Sequence, residues 1–199
     1  MTGPCSKKHS LLLLAAAAAG AAAVVGLVGA CAAQPAQPEL PTVEHVILER
    51  YAGLWYEIAR LPNRFQKQCA GNTTAEYTLT DKEVHVINSC TRADGRTESI
   101  EGKARVVPGS GNAKLRVRFF GPFSAPYWIL ALDKDYEWAL VGTPDRNYLW
   151  ILARTPQLPQ AVYQHIVERA AELGFATEKL QLTPQAGAVQ YPRSYSTQF

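Results

Sequence analysis

The chain has 199 residues, with 20 Lys and Arg against 17 Asp and Glu, for a net charge of +3. That length suffices for one domain with a sizeable core, and so small a charge gives no footing for a nucleic-acid partner. Lys7 and Lys8 are the only charged residues among the first 30, so the remainder carries +1. The four histidines, His9, His45, His85 and His165, are scattered, and no Cys-x-x-Cys, His-Glu-x-x-His or phosphate-binding glycine loop occurs. No metal or other cofactor is therefore expected.

Lys7 and Lys8 precede an unbroken small or apolar run over residues 11–30. A permanent membrane helix could have this length, but the run is mostly Ala and Gly and ends in Leu27-Val28-Gly29-Ala30-Cys31. Small residues just before a cleavage point mark a secretory signal. A cysteine directly after them resembles the bacterial lipoprotein box, cut before Cys31, whose thiol receives the lipid. Val28 stands where that pattern prefers leucine, and an ordinary signal peptide with a stray cysteine is the alternative. Ala32 follows Cys31, which by analogy with enteric lipoproteins implies sorting to the outer membrane, with the domain in the periplasm. Residues 31–45, with three prolines and few large apolar side chains, read as a tether. The expected organisation is a signal peptide at 1–30, this tether, a folded domain at 46–185 and a tail at 186–199.

The domain opens on Gly53-Leu54-Trp55, where a glycine allows a sharp turn and a tryptophan brings the largest apolar side chain to the start of a strand. Over residues 72–79, Thr73, Ala75, Tyr77 and Leu79 alternate with polar residues, the period-two pattern of a strand with one wet face. Val84, Val86 and Asn88 form one face of the next strand. In 100–106, Ile100, Gly102, Ala104 and Val106 oppose Lys103 and Arg105; in 114–119, Leu115, Val117 and Phe119 oppose Lys114, Arg116 and Arg118. Gly121-Pro122 gives a turn. Residues 127–132, 137–142 and 148–153 are three further strands. Pro159 then starts a helix whose Val162, Ile166, Ala170 and Leu173 make one apolar stripe, and Gly174 stops it. Residues 179–183 add a short last strand.

About eight strands with short turns predict an all-β, eight-stranded antiparallel up-and-down barrel with a C-terminal α-helix packed outside. An outer-membrane barrel would put its apolar face on lipid, and lysines or arginines at mid-strand there would each cost about 2–4 kcal/mol. The charged face therefore meets water and the apolar face lines the interior. That interior list includes Glu57, Ala59, Ala75, Tyr77, Val86, Asn88, Gly102, Ala104, Val117, Phe119, Tyr127, Ile129, Tyr148 and Trp150. Small side chains such as Ala75, Gly102 and Ala104 leave space, aromatics supply walls, and Glu57, Asn88 and the tyrosine hydroxyls can orient a head group. A filled core without ligand space is the alternative.

Gly53-Leu54-Trp55-Tyr56-Glu57-Ile58-Ala59-Arg60, with Pro62 and Phe65, resembles the first block of the lipocalins, most closely the bacterial outer-membrane lipocalins of the apolipoprotein D-like branch. Asp145-Arg146-Asn147-Tyr148 resembles the second block, and Arg154 before Thr155-Pro156 the third. The resemblance implies that Arg154 lies across Trp55 at the closed end, a structural pairing without chemistry. It implies a binder of a fatty acid or lysophospholipid, for lipid storage or transport, held at the membrane through its lipid anchor. Haem, a bilin or another flat hydrophobe is the runner-up, without an axial histidine in evidence. An enzyme with Glu57 and Tyr77 or Tyr148 as acid and base is the rival from another class, but no nucleophile, metal or cofactor loop supports it. With Cys5 removed and Cys31 acylated, Cys69 and Cys90 are expected to pair in an exported domain, two free thiols being the alternative. The sequence leaves a homodimer open.

Overall fold

A glycine in a left-handed conformation starts the barrel. In the computed structural model, which describes residues 39–186, Gly53 has a φ of +94°, a region glycine enters at little cost. It turns the chain out of a one-turn helix, α1 (Leu48–Tyr51), into β1 (Gly53–Arg60). One turn is too short to leave a periodicity, so α1 has no sequence signature. The strands β2 (Cys69–Leu79), β3 (Val84–Arg92), β4 (Thr97–Val106), β5 (Lys114–Arg118), β6 (Ala125–Leu132), β7 (Trp138–Gly142) and β8 (Leu149–Ala153) follow. Each pairs antiparallel with the next, β8 returns to β1, and β1 pairs with β2, which closes the eight-stranded barrel. The expected fold is thus the observed one, with α2 (Gln160–Glu172) and a two-residue β9 (Gln181–Leu182) after the barrel. A disulfide joins Cys69, the first residue of β2, to Cys90 near the end of β3.

On β4 and β5 the alternation is clean. Gly102, Ala104, Leu115 and Val117 are buried, while Lys103, Arg105, Arg116 and Arg118 are exposed. The charged face meets water because nothing covers it. On β7 and β8 both faces are largely buried. Here Ile166, Ala170 and Leu173 of the α2 stripe join Leu140, Ile151 and Ala153 in a second apolar core outside the barrel. Gly174, with φ +84°, ends the helix as expected. Phe175 then lies on the backbone of Gly142, where a Cβ would meet its ring at 2.8 Å.

Two sequence expectations change. A bulge between Glu57 and Ala59 shifts the register of β1 against β8. Ala59, expected inside, therefore packs in the outer core with Ile58. The folded part also begins ahead of Val46: Leu40 is only 2 % exposed and the Val43 amide donates to the Ile129 carbonyl at 3.0 Å. Both cores and the hydrogen bonds that close the barrel lie within residues 39–186. The expected signal peptide, Cys31 and the tail after Ala186 lie outside the described residues.

Candidate functional site: the barrel interior and its two ends

The strand ends next to α1 form one end of the barrel. Trp55, fully buried, plugs it and donates its indole N–H to the Tyr51 carbonyl at 2.8 Å. The Arg154 guanidinium sits 3.9 Å from the Trp55 ring centroid. It also donates to the carbonyls of Leu54 at 2.8 Å, Arg50 at 2.6 Å, Ala52 at 2.9 Å and Tyr136 at 3.3 Å. A guanidinium presents a planar fork of donors while its face stays free to stack on an indole. One residue thus satisfies the carbonyls around α1 and caps the ring beneath them.

Above Trp55 stand three tyrosines. The Tyr127 hydroxyl is hydrogen-bonded to Tyr51 at 2.7 Å and to Tyr77 at 2.9 Å, and the Tyr51 ring lies 4.9 Å from Trp55. Burial raises all three: Tyr51 and Tyr127 well above their usual value, Tyr77 up to about 12. They are neutral hydroxyls in neutral water and offer no base. Beside them, Tyr77, Ala104, Leu115 and Val117 line a cavity of about 20 Å³, room for one or two waters. The gap expected at Gly102 is taken: a Cβ there would meet the Phe119 ring at 2.6 Å. Phe119, half-buried, fills the space that the glycine leaves.

Ala75, Val86, Ala104, Val117 and Ile129 all belong to the buried interior, with Phe119, Tyr127 and Trp150 packed against it. Asn88, half-buried, is paired with Ala75 and Ile100 across β2 and β4. Tyr148 stands just before β8, its ring stacked on Trp150 at 6.0 Å and 9°.

The opposite end is polar. Glu57, 3 % exposed, accepts from Gln66 Nε2 at 2.6 Å and from the Thr183 hydroxyl, and Arg60 Nε lies 3.3 Å away. Gln66 Oε1 in turn accepts from the Trp150 indole at 3.0 Å and from Asn63 at 2.7 Å. Desolvation pushes the Glu57 carboxyl up from the usual value, opposed by Thr183, Gln66 and Arg60 in that order. Glu57 and Tyr77 do not meet as an acid–base pair: the carboxylate is held by Gln66 and Thr183, and the phenol by Tyr127.

Thr183 reaches Glu57 because β1 and β2 pair only from Gly53 to Tyr56 and then splay. The segment after α2 closes the gap. β9 pairs with Ala59 and Arg60, Pro184 accepts from the Asn72 amide at 2.7 Å, and Gln185 donates to the carbonyls of Glu57 and Thr73 at 2.8 and 2.9 Å. Gln66, Thr183 and Gln185 sit in irregular segments, where no period marks them. Tyr51, two residues before Gly53, was not among the expected interior residues, because its place beside Tyr127 needs the closed barrel.

Residues 46–185 match the family described as a lipocalin-like domain. The chain is 44% identical over 157 residues to temperature-induced lipocalin-1 of Arabidopsis thaliana, covering 74% of this chain and 84% of the relative. It is 40% identical over 164 residues to the outer membrane lipoprotein Blc of Escherichia coli K12, covering 81% and 92%. It is 36% identical over 164 residues to apolipoprotein D of Cavia porcellus, covering 77% and 85%. Among solved structures, insecticyanin from the tobacco hornworm Manduca sexta superposes with a TM-score of 0.63 at 25% identity, over 75% of this chain and 86% of that one.

Proposed function

The chain belongs to the lipocalin family, a family of carriers of small hydrophobic ligands, and from that premise we propose that it binds one long-chain fatty acid or lysophospholipid inside the barrel. The tail runs inward along Ala75, Val86, Ala104, Val117 and Ile129, and the head stays at the end where Glu57, Gln66 and Trp150 converge. The observation that carries this reading is the asymmetry of the ends. Trp55 and Arg154 seal one, so a ligand enters at the other, past a wall whose polar groups suit a head group. Each methylene buried contributes about 0.8 kcal/mol, enough for micromolar binding after ordering costs. A cavity of about 20 Å³ does not hold an acyl chain. In this proposal Phe119 leaves its place over Gly102, and the tail takes the volume its ring now fills.

The small cavity supports a second reading, a filled barrel that takes no ligand and serves an envelope assembly. Delipidated protein examined by native mass spectrometry with lipid add-back separates the two. One lipid retained per barrel supports the carrier; no retained mass across chain lengths supports the filled barrel.

The proposal includes anchoring at the outer membrane through acylated Cys31, supported by the likeness to the outer membrane lipoprotein Blc of three bacterial species. Several acyl chains hold a protein on a membrane where one is marginal. Cys31→Ala is expected to leave the protein unprocessed or to release it from the membrane fraction. Normal processing with membrane retention contradicts the anchor.

A further inference from the structure

The outer face of β4 and β5 sets cation against cation. Lys103 is directly opposite Arg118, and Arg105 directly opposite Arg116. Like charges facing each other across a strand pair are destabilising, and a single carboxylate, Glu83, is shared between Lys103 and Arg105. These side chains line a groove of about 310 Å³ that runs to Pro122 and Ser124 in the turn between β5 and β6. Arg116 donates to the Ser124 hydroxyl at 2.9 Å, so the basic face and this turn are one unit. The same turn carries Phe120 and Phe123, 75 % and 82 % exposed.

We propose that this face docks the barrel on an anionic phospholipid bilayer, phosphate groups lying in the β4–β5 groove and the two phenyl rings entering the interfacial layer. Guanidinium groups pair with phosphate oxygens in two-point hydrogen bonds, and basic residues near a membrane surface are drawn to anionic lipids. Apolar rings beside them find in the bilayer the cover that the protein does not give. Nucleic acid also attracts arginines, but a net charge of +3 gives it little footing, and two exposed phenyl rings at the tip of a turn match a lipid interface. The inference goes beyond ligand carriage, since vesicle binding needs no occupied barrel. It places the open end, where this turn lies, next to the lipid source.

The test uses a chain of residues 38–199, which spans both cores, in cosedimentation with phosphatidylcholine vesicles with and without phosphatidylglycerol. Binding is expected only with phosphatidylglycerol and is expected to fall with salt. Arg116→Glu with Arg118→Glu, and separately Phe120→Ser with Phe123→Ser, should each weaken it roughly tenfold or more. The charge-reversed variant should melt no lower than the parent, because its carboxylates then face Lys103 and Arg105. Absence of binding to phosphatidylglycerol vesicles, or binding unchanged in either variant, overturns the proposal. So does a single-stranded oligonucleotide that binds as tightly as the vesicles and is indifferent to the Phe substitutions.

Discussion

The two ends of the barrel are held in different ways. At the closed end a single cation, Arg154, stacks on Trp55 and collects four backbone carbonyls from α1, the start of β1 and the turn before β7. At the mouth, Glu57 is held by neutral side chains from a loop and from the segment after β9, with Arg60 at its side. The first arrangement is a lock, with a charge whose donors are met by fixed backbone. The second is a chain of side-chain hydrogen bonds around a carboxylate that burial disfavours. A carrier needs this division: one end that never opens, and one whose polar groups can exchange partners when a head group arrives.

The largest effect should come from breaking the lock. Arg154→Ala removes four charge-assisted hydrogen bonds to part-buried or exposed backbone carbonyls and uncovers Trp55, and is expected to cost about 3–5 kcal/mol in urea unfolding. Lipid affinity per folded molecule should change little, because the residue lies away from the mouth. Loss of affinity at full stability would place Arg154 in the binding site instead.

The disulfide belongs to the mouth, where β2 begins and β3 ends. It closes a separation of 21 residues, for which loop entropy predicts about 3 kcal/mol. Replacing Cys69 and Cys90 together by alanine should destabilise the fold by that order, read as a lower melting temperature, and leave the barrel's far-ultraviolet circular dichroism intact. Collapse of the β signal would show that the bridge is needed for the fold itself.

How much of this was legible beforehand follows from what covers each strand. β4 and β5 are bare outside, so their charges alternate with the apolar wall and the register can be read directly. β7 and β8 are covered by α2, and their apolar runs still read as strands although the alternation is lost. Ala59 was misplaced because a bulge is invisible to a period-two count. Gly102 was read as space because nothing in the sequence says that the next strand's Phe119 lies over it. Glu57 was recognisable as a polar residue on an inward face. Its partners Gln66 and Thr183, 9 and 126 residues away, come from segments with no repeating pattern, and only the closed fold brings them together.

Glu57 gives the smallest effect and the sharpest sign. Its folded value is raised above 4.5 by burial, so the folded state binds the proton more tightly than the unfolded one. Stability is therefore gained as pH falls from neutral toward 4.5, and the cost of the buried charge is present above the raised value. Glu57→Gln removes the charge and should lie within about 1 kcal/mol of the parent at neutral pH. The parent should gain on the variant as the pH is lowered through this window in thermal melts. Parallel pH profiles would mean that Glu57 is not the group responsible.

The central claim is that the interior holds the tail, and calorimetric titration of the delipidated protein with a long-chain fatty acid addresses it most directly. Ala104→Leu adds carbon to the cavity wall, at a packing cost of about 1–3 kcal/mol, while Phe119→Ala clears the space above Gly102. With both variants folded, Ala104→Leu is expected to bind about tenfold more weakly than the parent, a change of about 1.4 kcal/mol, and Phe119→Ala at least as tightly as the parent. Affinity unchanged by Ala104→Leu would contradict the account and place the ligand outside the barrel.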